Sequence, residues 1–131
     1  MDYGLELLLG YDGKRHYFAT GHYLKFEVRQ IETSTRTPHG LSYCLTLHAP
    51  EGRRLLGFDN AHLVSHRGGR FVKRPTASDH WHRDDGDMGR PYVFKNASML
   101  LADFFDAVEQ RLNELGIPNR IVKEASDGTV T

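Results

Sequence analysis

Ala97, Leu101, Phe104, Phe105, Val108, Leu112 and Leu115 recur at three- and four-residue spacing, with Asp103, Asp106, Glu109 and Arg111 on the opposite side. That period belongs to an amphipathic α-helix, whose apolar stripe has to be buried against another element. Asn96 or Ser98 stands where a side-chain oxygen can accept the unpaired amides that open a helix, and Gly116 followed by Pro118 stops it. A helix is therefore expected over residues 97–115. The chain before it sets what the stripe must cover, and there the apolar period changes to two.

The clearest strand has His22, Leu24, Phe26 and Val28 on one face and Tyr23, Lys25, Glu27 and Arg29 on the other. Leu41, Tyr43, Leu45 and Leu47 alternate again, Pro50-Glu51-Gly52 turns, and residues 54–58 return as a short strand that delivers Asp59 and Asn60 to its end. Near the start, Tyr3, Leu5, Leu7 and Leu9 alternate up to Tyr11, and Asp12-Gly13 offers the positive-φ positions of a tight turn. A first hairpin is expected there, its return arm beginning at Arg15 to Phe18 and breaking at Gly21. Residues 33–40 are rich in Ser, Thr, Pro and Gly and connect rather than build. Pro91-Tyr92-Val93-Phe94 reads as one more short strand, and residues 119–131, with little to bury, read as a flexible tail. The expectation is one α+β domain over residues 1–118. It has an antiparallel sheet of about five strands, the C-terminal helix on one face, and a long basic, histidine-rich loop at a sheet end or edge.

Bulk properties narrow the function classes. With 131 residues, 39% hydrophobic and 26% charged, the chain can bury one core without disulfide or metal staples. Its apolar runs are too short to span a bilayer. The N-terminal residues lack a basic segment followed by a long apolar one, and Cys44 has no cysteine partner, so the cytoplasm is the expected compartment. With formal net charge zero, attraction to nucleic acid has to come from a patch.

Such a patch lies within residues 59–85. Four of the eight histidines, His62, His66, His80 and His82, fall there. From Ala61 to Arg83, five basic residues (Arg67, Arg70, Lys73, Arg74 and Arg83) stand against one acid, Asp79. With Gly68-Gly69 and Pro75 and no sustained period, the stretch reads as a long functional loop.

In Asp79-His80-Trp81-His82-Arg83, an extended backbone puts both imidazoles on one side and Trp81 on the other. One ring can remove a proton while the second donates one, which is what metal-independent cleavage of RNA by its own 2′-hydroxyl needs. The acid–base candidates are thus His80 and His82, with Arg83 and Asp59 beside them. Arg67, Arg70, Lys73 and Arg74 are the phosphate-binding candidates, and Trp81 a platform for an unpaired base. The plainer alternative makes these loop histidines exposed, Trp81 an anchor in the core and the cations ordinary solvated surface.

A metal site is a further alternative: His62 and His66 at i, i+4, completed by His80, His82 or Asp79. Paired cysteines and a His-Glu-x-x-His signature are missing, and the nearby cations oppose a divalent ion. Asp84, Asp85 and Asp87 do not have the spacing of a calcium loop. Cys44 and His48 are four apart on a strand, roughly 13 Å, too far for a thiol–imidazole pair. No glycine-rich phosphate loop precedes a helix, which argues against a nucleotide-cofactor enzyme.

From Arg54 onward the order of features resembles the TumE-like toxins of bacterial and archaeal toxin–antitoxin pairs. The matching pieces are Leu56-Gly57-Phe58-Asp59-Asn60, the basic loop ending in Asp79-His80-Trp81-His82, Pro91-Tyr92-Val93-Phe94, and the helix from Leu100-Leu101-Ala102-Asp103-Phe104-Phe105 to Val108-Glu109. In that family the segment between Asp-Asn and His-x-His is shorter, so residues 63–78 look like an expansion. The resemblance implies a small cytoplasmic toxin acting on RNA and paired with an antitoxin encoded nearby; self-association is left open, and the acid–base reading of the residues calls for no cofactor. The residues then read as a metal-independent endoribonuclease. The alternatives are a noncatalytic nucleic-acid-binding or protein-interaction module, and a metal-dependent hydrolase with a histidine-rich site.

Overall fold

The computed structural model describes residues 3–35, 39–60, 79–84 and 89–126. The element order is α1 (Tyr3–Gly10), β1 (Lys14–Phe18), β2 (Tyr23–Gln30), β3 (Leu41–His48), β4 (Arg54–Asp59), β5 (His80–His82), β6 (Arg90–Pro91), α2 (Ala97–Leu115) and β7 (Ile121–Ser126). The strands form one antiparallel sheet in the order β6-β5-β4-β3-β2-β1-β7. Both helices lie against one face of it. The α+β class, the antiparallel sheet and the C-terminal helix are as expected; the described strands number seven rather than about five.

The core follows from the two periods. Leu24, Phe26 and Val28 of β2, Leu41, Tyr43, Leu45 and Leu47 of β3, and Leu56 and Phe58 of β4 are buried under Leu100, Leu101, Phe104, Val108 and Leu112 of α2. Phe104 meets Phe26 and Phe58 edge-on, with ring centroids 5.9 and 5.8 Å away. Asn96 caps α2, its Oδ1 accepting from Met99 N at 2.8 Å, and Gly116 closes it at φ 73°. Leu115, at the end of the stripe, stays partly exposed.

Three expectations are corrected. The segment read as the first strand of a hairpin is helix α1. Its leucines fit both periods, and the packing selects i, i+3, i+4: Leu8 is fully buried and Leu5 and Leu9 lean on the core, while Leu7 is 58% exposed. So short a helix is marginal alone, and contact with α2 holds it. A side chain at Gly4 would collide with Ser98, so glycine permits that contact. Asp12-Gly13 does turn the chain, but out of a helix. Gly13 has φ 80° and donates to Phe26 O, and Asp12 Oδ1 accepts from Val28 N at 2.8 Å.

The strand expected at Pro91 to Phe94 shrinks to Arg90–Pro91. Pro91 has no N–H to continue a ladder. Beyond it, Tyr92 donates from its hydroxyl to Asp103 of α2 at 2.6 Å, and Phe94 packs on His39 with centroids 4.0 Å apart. Finally, part of the segment read as a tail is edge strand β7, paired along β1. Lys14 and His16 reach Glu124 at 3.4 and 3.1 Å. Residues 127–131 lie outside the described residues, and so does most of the predicted loop, residues 61–78. Among the described residues no helix is long and apolar enough to cross a membrane.

Candidate functional site

His80 and His82 belong to strand β5 rather than to a loop. Pairing with β4 sets Asp59 opposite His80 and Gly57 opposite His82. Strand alternation then directs both imidazoles, with Asp59, to the face that the helices leave open. The ring centroids are 6.3 Å apart, and His82 Nε2 lies 3.3 Å from Asp59 Oδ2. The His82 and Asp59 side chains retain 13% and 15% exposure, enough for contact with solvent. Burial pushes the Asp59 carboxyl above the ordinary carboxylate range, while His82, His80 and Arg54 pull it back.

Two further residues shape this corner. Gly89 has φ 107°, and a Cβ there would come within 2.6 Å of His82 Cε1. Only glycine lets the backbone lie this close to the imidazole at that conformation. Arg54 donates from Nη2 to Asp84 O at 2.7 Å, tying the end of β5 back to β4. Simple alternation from Asp59 would put Arg54 on the helix side. The ladder shifts register between Leu47 and His48, pairing Arg54 with His48 and returning it to the open face. At Gly57 a Cβ would meet Arg54 Cδ at 3.2 Å and Thr46 Cγ2 at 3.3 Å, so these side chains cross β4 where glycine leaves room.

A second cluster supports β5 from the other side. Asp79 Oδ2 accepts from Tyr43 Oη at 2.6 Å and lies 3.1 Å from His39 Nε2. His39 Nδ1 accepts from Leu41 N at 3.2 Å, so in the neutral ring Nε2 carries the proton and donates it to Asp79. Burial, then the bond to Asp79, raises the Tyr43 hydroxyl far above its ordinary range, leaving it a permanent donor. Asn60 is buried and binds β3 at both groups, Oδ1 accepting from Tyr43 N and Nδ2 donating to Leu41 O. Asp79 thus anchors the start of β5 and does not join His80 and His82 as a third ligand. His39 carried no sequence signal of this role, because the contact spans 40 positions.

The remaining candidates separate. Trp81 faces the helix side, stacked on Phe58 at 6.3 Å, with the Arg90 guanidinium 4.5 Å from its ring centroid. Arg83 turns to α2, where its Nη2 donates to Glu114 Oε1 at 3.0 Å. Cys44 sits across from Asp59, and its thiol is pushed up to about 12 by burial, then by Asp59 and Glu27. It is a packed thiol, not a nucleophile. Asp84 is described, whereas Asp85 and Asp87 lie outside the described residues. His62, His66, Arg67, Arg70, Lys73 and Arg74 also lie outside them. Among the described residues no three His, Cys, Asp or Glu side chains are grouped as metal ligands.

The arrangement provides two unequal imidazoles, one facing a carboxylate, on an accessible sheet surface. No curated protein and no solved structure matches the chain. The family described as Toxin TumE matches residues 6–112, which include Asp59, His80, His82 and most of the sheet and of α2. The chain therefore belongs to the TumE toxin family.

Proposed function

We propose that this toxin is a metal-independent endoribonuclease of a type II toxin–antitoxin pair, acting in the cytoplasm and neutralised by an antitoxin encoded nearby. The observation that carries the reading is the contact of His82 with Asp59 beside His80. The Asp59 carboxylate faces His82, where it balances an imidazolium and fixes the ring's orientation. His82 is thereby suited to donate a proton, and His80 to accept one.

In the reaction, His80 takes the proton of the RNA 2′-hydroxyl and the 2′-oxygen attacks phosphorus. The bond from phosphorus to the 5′-oxygen breaks, and that oxygen takes its proton from His82. The products are a 2′,3′-cyclic phosphate and a 5′-hydroxyl end. Arg54, close enough to act on the Asp59 charge, is a described cation beside this chemistry. Arg67, Arg70, Lys73 and Arg74 are proposed to add phosphate contacts. Trp81 and Arg83 drop out of the proposed chemistry, because they face α2.

The test is cleavage of a single-stranded RNA by wild type and by His80→Ala and His82→Ala. Each substitution is expected to lower the rate about 10²- to 10⁴-fold and to relieve growth arrest, with RNA affinity largely retained. A chelator should leave wild-type cleavage unchanged. Restoration of chelator-inhibited activity by zinc or manganese would make the histidines ligands instead. Toxicity undiminished in both variants would refute the assignment.

A further inference from the structure

The open face of the sheet carries more than Asp59, His80 and His82. Backbone register aligns Lys123, Tyr17, Tyr23, His48 and Arg54 in one continuous row across β7, β1, β2, β3 and β4. The next row runs through Arg15, Lys25, Thr46 and Gly57 and ends on His82. Contacts confirm the shared face. Tyr17 and Tyr23 have centroids 5.3 Å apart, and Tyr23 and His48 stack at 4.9 Å and 13°. The Arg15 guanidinium lies 5.0 Å from the Tyr23 ring, and Lys123 Nζ 5.6 Å from the Tyr17 ring. All three rings keep partial exposure.

These two rows hold four cations, Arg15, Lys25, Arg54 and Lys123, and no acid among the described residues. The strand acids of this face, Glu27 and Asp59, stand in the third row with Cys44 and His80, and Glu27 Oε2 reaches back to Lys25 Nζ at 3.5 Å. Partly exposed rings interleaved with cations on a flat sheet suit a single-stranded nucleic acid, whose bases stack while its phosphates meet the charges. At about 4.8 Å per strand the row from Lys123 to Arg54 spans roughly 19 Å and its three rings roughly 10 Å, the scale on which a sheet holds two or three bases.

We propose that this face is a single-stranded RNA platform, on which bases stack against Tyr17, Tyr23 and His48 and phosphates follow Arg15, Lys25 and Lys123 toward His82. The inference rests on RNA being the substrate and assigns the surface that delivers it. It places base contact on the side of the sheet that carries His80 and His82, opposite Trp81.

The test is the affinity of the full chain for a mixed-sequence single-stranded RNA oligonucleotide, measured by fluorescence anisotropy in the His82→Ala background. Tyr17→Ala combined with Tyr23→Ala should weaken binding about 10- to 100-fold, whereas Tyr23→Phe should bind like the parent. Lys25→Glu with Lys123→Glu should weaken binding and flatten its salt dependence. These charge variants carry the test if the tyrosine pair fails to fold by thermal melting. Unchanged affinity in the folded variants would overturn the platform, while loss of cleavage in His82→Ala would leave the nuclease reading standing. Conversely, RNA bound through these residues but left intact by wild type would sustain the platform and remove the nuclease. Absence of RNA binding by wild type would remove both. Intact RNA affinity with lost neutralisation by a co-expressed antitoxin would reassign the face to that protein.

Discussion

The two faces of the sheet are built by different physics. On the covered face, buried Phe26, Leu45, Leu47 and Phe58 meet Leu8, Leu100 and Phe104 from the helices, and apolar area removed from water supplies the stability. On the open face, neighbours across the strands are held by contacts such as the Tyr23 and His48 rings stacked at 4.9 Å and His82 Nε2 with Asp59 Oδ2 at 3.3 Å. Contacts of this kind contribute roughly 0.2–1 kcal/mol each. One face therefore sets whether the chain folds, and the other is free to carry chemistry. Substitutions on the two faces should move different observables.

The largest expected effect on stability is on the covered face. Phe104→Ala leaves a cavity between Phe26 and Phe58 and should cost about 3–5 kcal/mol in a denaturant melt. Asp106→Ala, on the exposed side of α2, should change stability by less than about 0.5 kcal/mol. Equal effects would erase the distinction between the faces. Gly89→Ala tests the open side. The positive φ should cost about 1–2 kcal/mol, and the added methyl should displace His82, so cleavage should fall further than that modest destabilisation explains. A rate that merely tracks the lost stability would detach Gly89 from the site.

The smallest effect is expected at Cys44, in the row of Asp59 and His80. Its thiol is raised to about 12 in the fold from about 8.5 in an unfolded chain. The neutral form is favoured by folding, so stability from Cys44 is full below about 8.5 and is lost as pH rises from there toward the folded value. Cys44→Ser should remove that alkaline loss while leaving cleavage unchanged. Alkylation at pH about 8 should be slow in the native protein and fast in denaturant. Rapid native alkylation would mean an activated thiol beside Asp59 and would reopen this row as a nucleophilic site.

Legibility in the sequence followed burial. β2, β3, β4 and α2 were readable because each has one wet and one dry side, and a period of two or of 3.6 is the direct imprint of that asymmetry. α1 was not, since Leu5, Leu7, Leu8 and Leu9 satisfy both periods and the choice rests on its contact with α2. β7 was not, since an edge strand exposed along most of its length has no dry side to mark it; its hydrogen bonds come from β1.

The same division runs through the candidate site. His80 and His82 share a face by local geometry alone, as their spacing implied. Asp59 could be named from its place at a strand end, but its contact with His82 depends on the register between β4 and β5. Arg54 reached the open face through a register shift, Gly89 through a close approach, and His39 through a bond to Asp79 that spans 40 positions. By itself the sequence determined the periods, the caps, the turns and which side chains share a strand face, because these depend on neighbours a few residues away. The tertiary structure decided which strands meet and in what register, and so which carboxylate faces which imidazole, because those contacts join residues that backbone geometry alone does not bring together.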